Sequence, residues 1–211
     1  SYKVPEKASG WLAYQMDAKK EEKSKTESQS QPNNKSKKAK KDNEENGFTL
    51  VLRKLSDGKE TSFSSVTDYQ FAKYGQGLLF STTGNDSTLH AGVYWYDLQN
   101  QIFNTLYEGH SKFKYKGLSI NEGGDQAAFL VDTDTTKALI HYFKLYHWKK
   151  GDATSQMLNV EGDAHFPKSW FISEHYTPLF SKNGDKLFFG TAPIPVVQDT
   201  TLLPEEIVNV E

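Results

Sequence analysis

A short glycine-turn signature, repeated along the chain, constrains the fold more than any other feature. Its clearest copy is Leu179-Phe-Ser-Lys-Asn-Gly-Asp-Lys-Leu-Phe-Phe-Gly190: an apolar strand end, a tight turn at Asn183-Gly184, and a second strand ending on Phe188-Phe189. Asn and Gly both tolerate positive φ, so the chain reverses there at little steric cost. Ser119-Ile-Asn-Glu-Gly-Gly-Asp-Gln-Ala-Ala-Phe129 keeps the serine, the glycine turn, the aspartate and the aromatic. Tyr74-Gly-Gln-Gly-Leu-Leu-Phe80 and Ser9-Gly-Trp-Leu-Ala-Tyr14 keep the glycine, the apolar run and the aromatic. Aligned on the last aromatic, the copies fall at Tyr14, Phe80, Phe129 and Phe189, separated by 66, 49 and 60 residues. A unit recurring at this interval predicts a repeat architecture.

A second element follows each copy. Val93-Tyr-Trp-Tyr-Asp-Leu98 follows Phe80, His141-Tyr-Phe-Lys-Leu-Tyr-His-Trp148 follows Phe129, and Leu50-Val-Leu-Arg-Lys-Leu55 follows Tyr14. Each is a β-branched or aromatic run leading through a polar turn into another strand, the pattern of a hairpin. Leu98 lies 18 residues past Phe80 and Trp148 lies 19 past Phe129, whereas Leu55 lies 41 past Tyr14. The surplus of about 22 residues coincides with a polar run, as an insertion at a hairpin tip would. Without it the first interval shrinks to about 44 residues, within the ~40–50 of one four-stranded propeller blade.

The expectation is therefore all-β: a partial β-propeller of about three four-stranded blades plus the start of a fourth. Blade 1 covers about 9–63 with the polar insertion 18–46, blade 2 about 75–106, and blade 3 about 123–158. A truncated blade covers 185–211, with a proline-containing loop over 192–204 and a last strand over 207–210. The insertion has nine lysines, six acids and no aromatic side chain. It cannot bury enough apolar surface to offset its ordering entropy, so a mobile, dispensable segment is expected. Its run Lys35-Ser-Lys-Lys-Ala-Lys-Lys41 reads as a solvated loop, since a polyanion-binding strip would interleave stacking aromatics.

Composition narrows the function classes. The formal net charge of −2 provides no overall field for nucleic acid or an acidic membrane surface. Cysteine is absent, which excludes a disulfide framework and thiolate chemistry. No stretch approaches the ~20 apolar residues of a membrane span. The chain begins at Ser1, which suggests a processed or excised piece.

Few residues point to chemistry. Gly109-His110-Ser111-Lys112 lacks the second glycine of a nucleophile elbow. His141 and His147 share parity on an expected strand, but six residues span ~20 Å, too far for one metal ion. Asp132-Thr-Asp134 lacks the glycine and closing glutamate of a calcium loop and reads as a hairpin turn. No catalytic, cofactor or metal residue is assigned, and no cofactor is expected. The aromatic and histidine-rich stretch 165–176 is the one candidate ligand contact, through His165, Trp170, Phe171 and His175. Against that stands its reading as an apolar plug over blade edges.

Ser181-Lys-Asn-Gly-Asp-Lys-Leu-Phe-Phe resembles the S-x-D-G-K-x-I-x-F repeat of TolB-like propellers. The fuller run from Tyr176 to Pro193, with Asp199-Thr-Thr-Leu-Leu203 after it, resembles the N-terminal propeller of large exported serine peptidases of the prolyl oligopeptidase family found in Bacteroidetes-type bacteria. Trp11-Leu-Ala-Tyr14 fits that family's repeated W-x-A-Y strand. The resemblance implies a periplasmic or cell-envelope location and a parent chain whose Ser-Asp-His triad lies in a C-terminal α/β-hydrolase domain. It further implies that the propeller restricts access of large polypeptides to that domain and contacts the peptide's free end. The implied partners are the hydrolase domain and peptide substrate, and an open propeller edge implies self-association of the isolated piece. This chain alone is expected to hydrolyse no peptide. The alternative is a stand-alone propeller acting as a periplasmic scaffold or a receptor's sensor domain.

Overall fold

A computed structural model of the chain describes residues 2–16, 47–84, 89–136 and 138–196. The insertion 18–46 and the strand expected at 207–210 lie outside the described residues. Within them the chain is all-β apart from a single 3-10 turn at Val160–Gly162, and its open sheets have the organisation of a partial β-propeller.

The first two units share one seven-stranded antiparallel sheet: β1 (Tyr2–Lys3), β2 (Trp11–Met16), β3 (Phe48–Lys54), β4 (Glu60–Phe71), β5 (Gly77–Thr82), β6 (Gly92–Asp97) and β7 (Ile102–Glu108), paired in chain order. β4 belongs to both units. Its first half pairs with β3 and its second half with β5, and Val66 lies opposite both Phe48 and Thr82. Ser65 sits at the change-over with φ +57°. Gly47 has to be glycine there, because a Cβ would meet the Ser65 carbonyl carbon at 2.4 Å.

The third unit is a separate four-stranded sheet of β8 (Lys114–Ile120), β9 (Gln126–Asp132), β10 (Lys144–Lys149) and β11 (Gln156–Leu158). Beyond it, β12 (Trp170–Ile172) pairs with β15 (Thr191–Pro193), and β13 (Leu179–Phe180) with β14 (Leu187–Phe188). Together these make one interrupted hairpin, with Ser173 N–H still donating to the Gly190 carbonyl at 2.9 Å. The strand thus runs on to Pro193, past the start of the expected loop at 192, on an edge where the missing proline N–H is not needed. Each unit begins one strand earlier than its glycine-turn signature: β4 precedes 75 and β8 precedes 123.

Strand alternation explains the stacking. In β5, Leu78 and Phe80 pack toward the first unit, into a core with Ala13, Leu50, Leu52, Phe63 and Tyr69. Leu79 points the other way, into a second core with Trp95, Phe129, Val131 and Trp148. β9 repeats the rule, sending Ala127, Phe129 and Val131 to that second core and Ala128 and Leu130 to a third with Phe143, Leu145 and Ile172. A strand with two buried faces favours apolar side chains on both, so Leu78–Phe80 in β5 and Ala127–Val131 in β9 read as continuous apolar runs, and the buried polar residues Ser81, Thr82 and Asp132 fall at the strand ends. The repeat aromatics Phe80, Phe129 and Phe189 all face the preceding unit.

Candidate functional site at the axial opening

The three signatures fold into one repeated turn. Ala72, Asn121 and Ser181 each donate their N–H to the carbonyl five residues on, at 2.9, 3.1 and 2.8 Å. In each, the glycine three residues on (Gly75, Gly124, Gly184) returns its N–H to the first residue's carbonyl, at 2.9, 3.0 and 2.9 Å. These glycines have φ of +71°, +70° and +75°, the left-handed conformation that a side chain disfavours. Asn183 keeps a negative φ, so only the glycine of the Asn-Gly pair uses the left-handed region.

Each turn follows the last residue of a unit's first strand: Phe71, Ile120 and Phe180. Those three residues, with Val4, line an opening of about 520 Å³ where the strand ends converge. The residue after each turn's first position carries a charge into this opening: Lys73, Glu122 and Lys182, with Lys3, Glu6 and Gln70 beside them.

Charges of both signs meet in the opening: Glu6 acts on Lys73, and Lys73 and Lys182 act on Glu122. Lys73 Nζ donates to Glu122 Oε1 at 2.9 Å. That hydrogen bond holds the Glu122 carboxyl below its ordinary value, with the charges of Lys73 and Lys182 adding to it. The same bond raises Lys73, and Glu6 adds to the rise through space. Lys3 is occupied, donating to the Tyr69 carbonyl and lying 3.7 Å from Asp68. Lys182 is exposed and makes no ion pair among the described residues. The units are also latched beside the opening, where Gln76 Nε2 donates to Gly123 O at 2.9 Å and Gln126 Nε2 to Gly184 O at 3.2 Å.

The stretch chosen from sequence does not converge on one site. Trp170 and Phe171 line a depression of about 420 Å³ with Tyr142, whose ring meets Phe171 edge-on at 5.4 Å. His165 lines a neighbouring apolar hollow with Val160 and Phe189, which shares Asp163, Phe166 and Pro167 with the first. Its Nδ1 is 3.0 Å from Asp163 and its side chain is 97% exposed. His175 lines neither hollow; its backbone N–H donates to Ser173 Oγ at 3.3 Å. The axial charges went unnoticed in sequence, although Lys73, Glu122 and Lys182 hold the same place in three copies of the repeat.

The other singled-out residues have structural places. Asp132 Oδ1 accepts the Asp134 N–H at 2.9 Å and Asp134 Oδ1 accepts that of Thr136 at 2.7 Å, two successive side-chain-capped turns. His147 is on β10, 6.0 Å from the Phe180 ring and hydrogen-bonded to Gln126 Oε1 at 2.9 Å. Burial lowers its pKa. His141 precedes β10 rather than sharing it, because the strand begins at Lys144. Among the described residues no three His, Cys, Asp or Glu groups are placed to hold a metal ion.

No protein-family model matches this sequence, and no curated protein matches it. Solved structures are similar over part of their length. The tricorn protease matches at 10% identity and a TM-score of 0.44, over 69% of this chain and 13% of that one. One of two prolyl endopeptidases described for inter-domain dynamics matches at 13% identity and a TM-score of 0.38, over 67% and 22%. The β-propeller domain of the Trilobed protease from Pyrococcus furiosus matches at 11% identity and a TM-score of 0.36, over 82% and 59%. The chain spans less than two thirds of each.

Proposed function

We propose that this chain is the non-catalytic propeller portion of an exported serine peptidase of the prolyl oligopeptidase type. In this reading it admits and positions peptide for an α/β-hydrolase domain outside this sequence. The supporting observation is the axial opening, where three equivalent turns place Lys73, Glu122 and Lys182 around a space of about 520 Å³. A peptide end entering there meets charges of both signs. Lys182, which has no ion-pair partner among the described residues, is free to take a terminal carboxylate as a charge-assisted hydrogen bond. The apolar floor of Phe71, Ile120 and Phe180 accommodates the side chains behind it.

The test is calorimetric titration of the chain with an unstructured decapeptide, once with a free C-terminal carboxylate and once amidated. The free acid is expected to bind about tenfold more tightly, the differential of roughly 1.4 kcal/mol expected of one charge-assisted contact. Lys182→Glu should remove that preference. Equal affinity for the two peptides, or no binding of either at millimolar concentration, overturns the reading.

A further inference from the structure

We infer that the depression beside β12 is a docking site for a proline-rich segment of another polypeptide, bound in the polyproline II conformation. The depression and the axial opening share no lining residue, so this is a second site. Its walls are aromatic: Tyr142, Phe166, Trp170 and Phe171 line a space of about 420 Å³. Tyr142 is 44% exposed and Trp170 40%. A single exposed ring needs no explanation, but several around one hollow mark a contact surface.

The backbone fixes where these rings stand. Ser169 has φ +60°, uncommon for a residue with a side chain. It sits inside a tight turn, which Trp170 N–H closes by donating to the Pro167 carbonyl at 3.3 Å. Ile194 N–H donates to the Ser169 carbonyl at 3.0 Å, and Trp170 lies opposite Pro193 on the ladder. The edge-on contact of Phe171 with Tyr142 joins β12 to the segment before β10. The hollow is therefore preformed, and docking orders little on this side.

The polar groups decide the occupant. The phenol O–H of Tyr142 and the indole N–H of Trp170 have no hydrogen-bond partner among the described residues. The carboxylates at the rim are engaged. Glu161 is paired with Lys144, and Asp163 accepts the His165 N–H at 2.8 Å with the imidazole beside it. Lys168 adds a positive charge with no ion pair among the described residues. An organic cation would thus meet occupied carboxylates and a like charge. A polyproline II segment meets what is free. Its carbonyls make no internal hydrogen bonds and take donors, its prolines bring no N–H to satisfy, and its rings pack on aromatic walls. Being already extended, it also loses little conformational freedom on docking.

The experiment titrates the full chain with a proline-rich decapeptide, acetylated and amidated so that it offers no terminal charge to the axial opening. A counterpart with glycine and serine in place of proline is the reference. The readout is the indole N–H signal of Trp170, assigned by its loss in Trp170→Phe. The proline peptide is expected to shift that signal saturably and to bind at least about tenfold more tightly than the reference, as pre-ordering and ring packing require. Tyr142→Phe keeps the ring and removes one donor, and should weaken the proline peptide about fivefold, what one hydrogen bond contributes. Equal affinity for the two peptides, or no saturable shift at millimolar concentration, overturns the inference without any variant having to fold. It is overturned equally if Tyr142→Phe keeps a native circular dichroism spectrum and undiminished affinity, or if tetramethylammonium chloride shifts the Trp170 signal saturably and the proline peptide does not.

Discussion

Gly77→Ala should destabilise the chain through a single collision. Gly77 is the first residue of β5, opposite Asp97 on β6. Its φ is not in the left-handed region, so alanine can adopt the backbone. By itself the exchange would stabilise by about 0.4–1 kcal/mol, by restricting the unfolded chain. Space opposes it, because the new Cβ would lie 2.1 Å from Cζ2 and 2.3 Å from Cε2 of Trp95. Carbon atoms pack at about 3.5–4.0 Å, so the indole must retreat by roughly 1.5 Å. It has little room, being buried with its ring 5.6 Å from that of Trp148. Overpacking of this kind costs about 1–3 kcal/mol, leaving a mid-range net loss of about 1.3 kcal/mol. At about 2–4 °C per kcal/mol for a chain of this size, the melting temperature should fall by roughly 3–5 °C. Thermal unfolding followed by circular dichroism, repeated in a Trp95→Leu background, isolates the cause. In that background the penalty should vanish or reverse. The same penalty with and without the indole would refute the reasoning.

Gly184→Ala forces a Cβ into φ +75° and should cost about 1–2 kcal/mol, read as a lowered urea midpoint. Gly123→Ala, which needs no positive φ, should cost less in the same assay. The Glu122 carboxyl is held down by Lys73, so its folded value lies below its unfolded one. Its contribution to stability is therefore present above about pH 4.3 and lost as the pH falls through the folded value. Glu122→Gln should flatten the acid limb of the stability curve, and an unchanged limb would contradict the pairing. Tyr107 is pushed up to about 12, first by burial and then by Tyr146. Its contribution should be complete below about pH 10 and be lost as the pH rises toward 12, and ultraviolet difference titration should show late-ionising phenols, Tyr115 among them, with one fewer in Tyr107→Phe.

The sequence made the repeat legible because the turn needs glycine at one place and the second strand needs apolar residues on both faces. Both demands are local and leave marks, as in Gly75, Gly124 and Gly184 and in the runs around Phe80 and Phe129. The passage of β4 through Ser64-Ser65-Val66 falls between the expected blades ending at about 63 and beginning at about 75, because two serines between paired runs resemble a loop in composition. His141 looked like a strand residue because the apolar run begins before the hydrogen-bonded ladder does at Lys144. The stretch 165–176 attracted notice by its aromatics and histidines, yet composition does not fix direction. Trp170 and Phe171 line one hollow and His165 lines its neighbour. The axial opening escaped because charges in turns read as solvated. Only convergence of three strand ends, a long-range property, brings Lys73, Glu122 and Lys182 together.

The most direct test of the axial opening is a residue-resolved amide spectrum during titration with the free-acid decapeptide. Gly75, Gly124 and Gly184 are far apart in sequence but belong to equivalent turns, and the residue after each turn's first position lines the opening. Their amide signals should shift together and fit one dissociation constant, while those of Trp170 and Phe171 stay in place. Shifts confined to 165–171, or three turns responding with unrelated affinities, would contradict a shared opening built from the repeated turn.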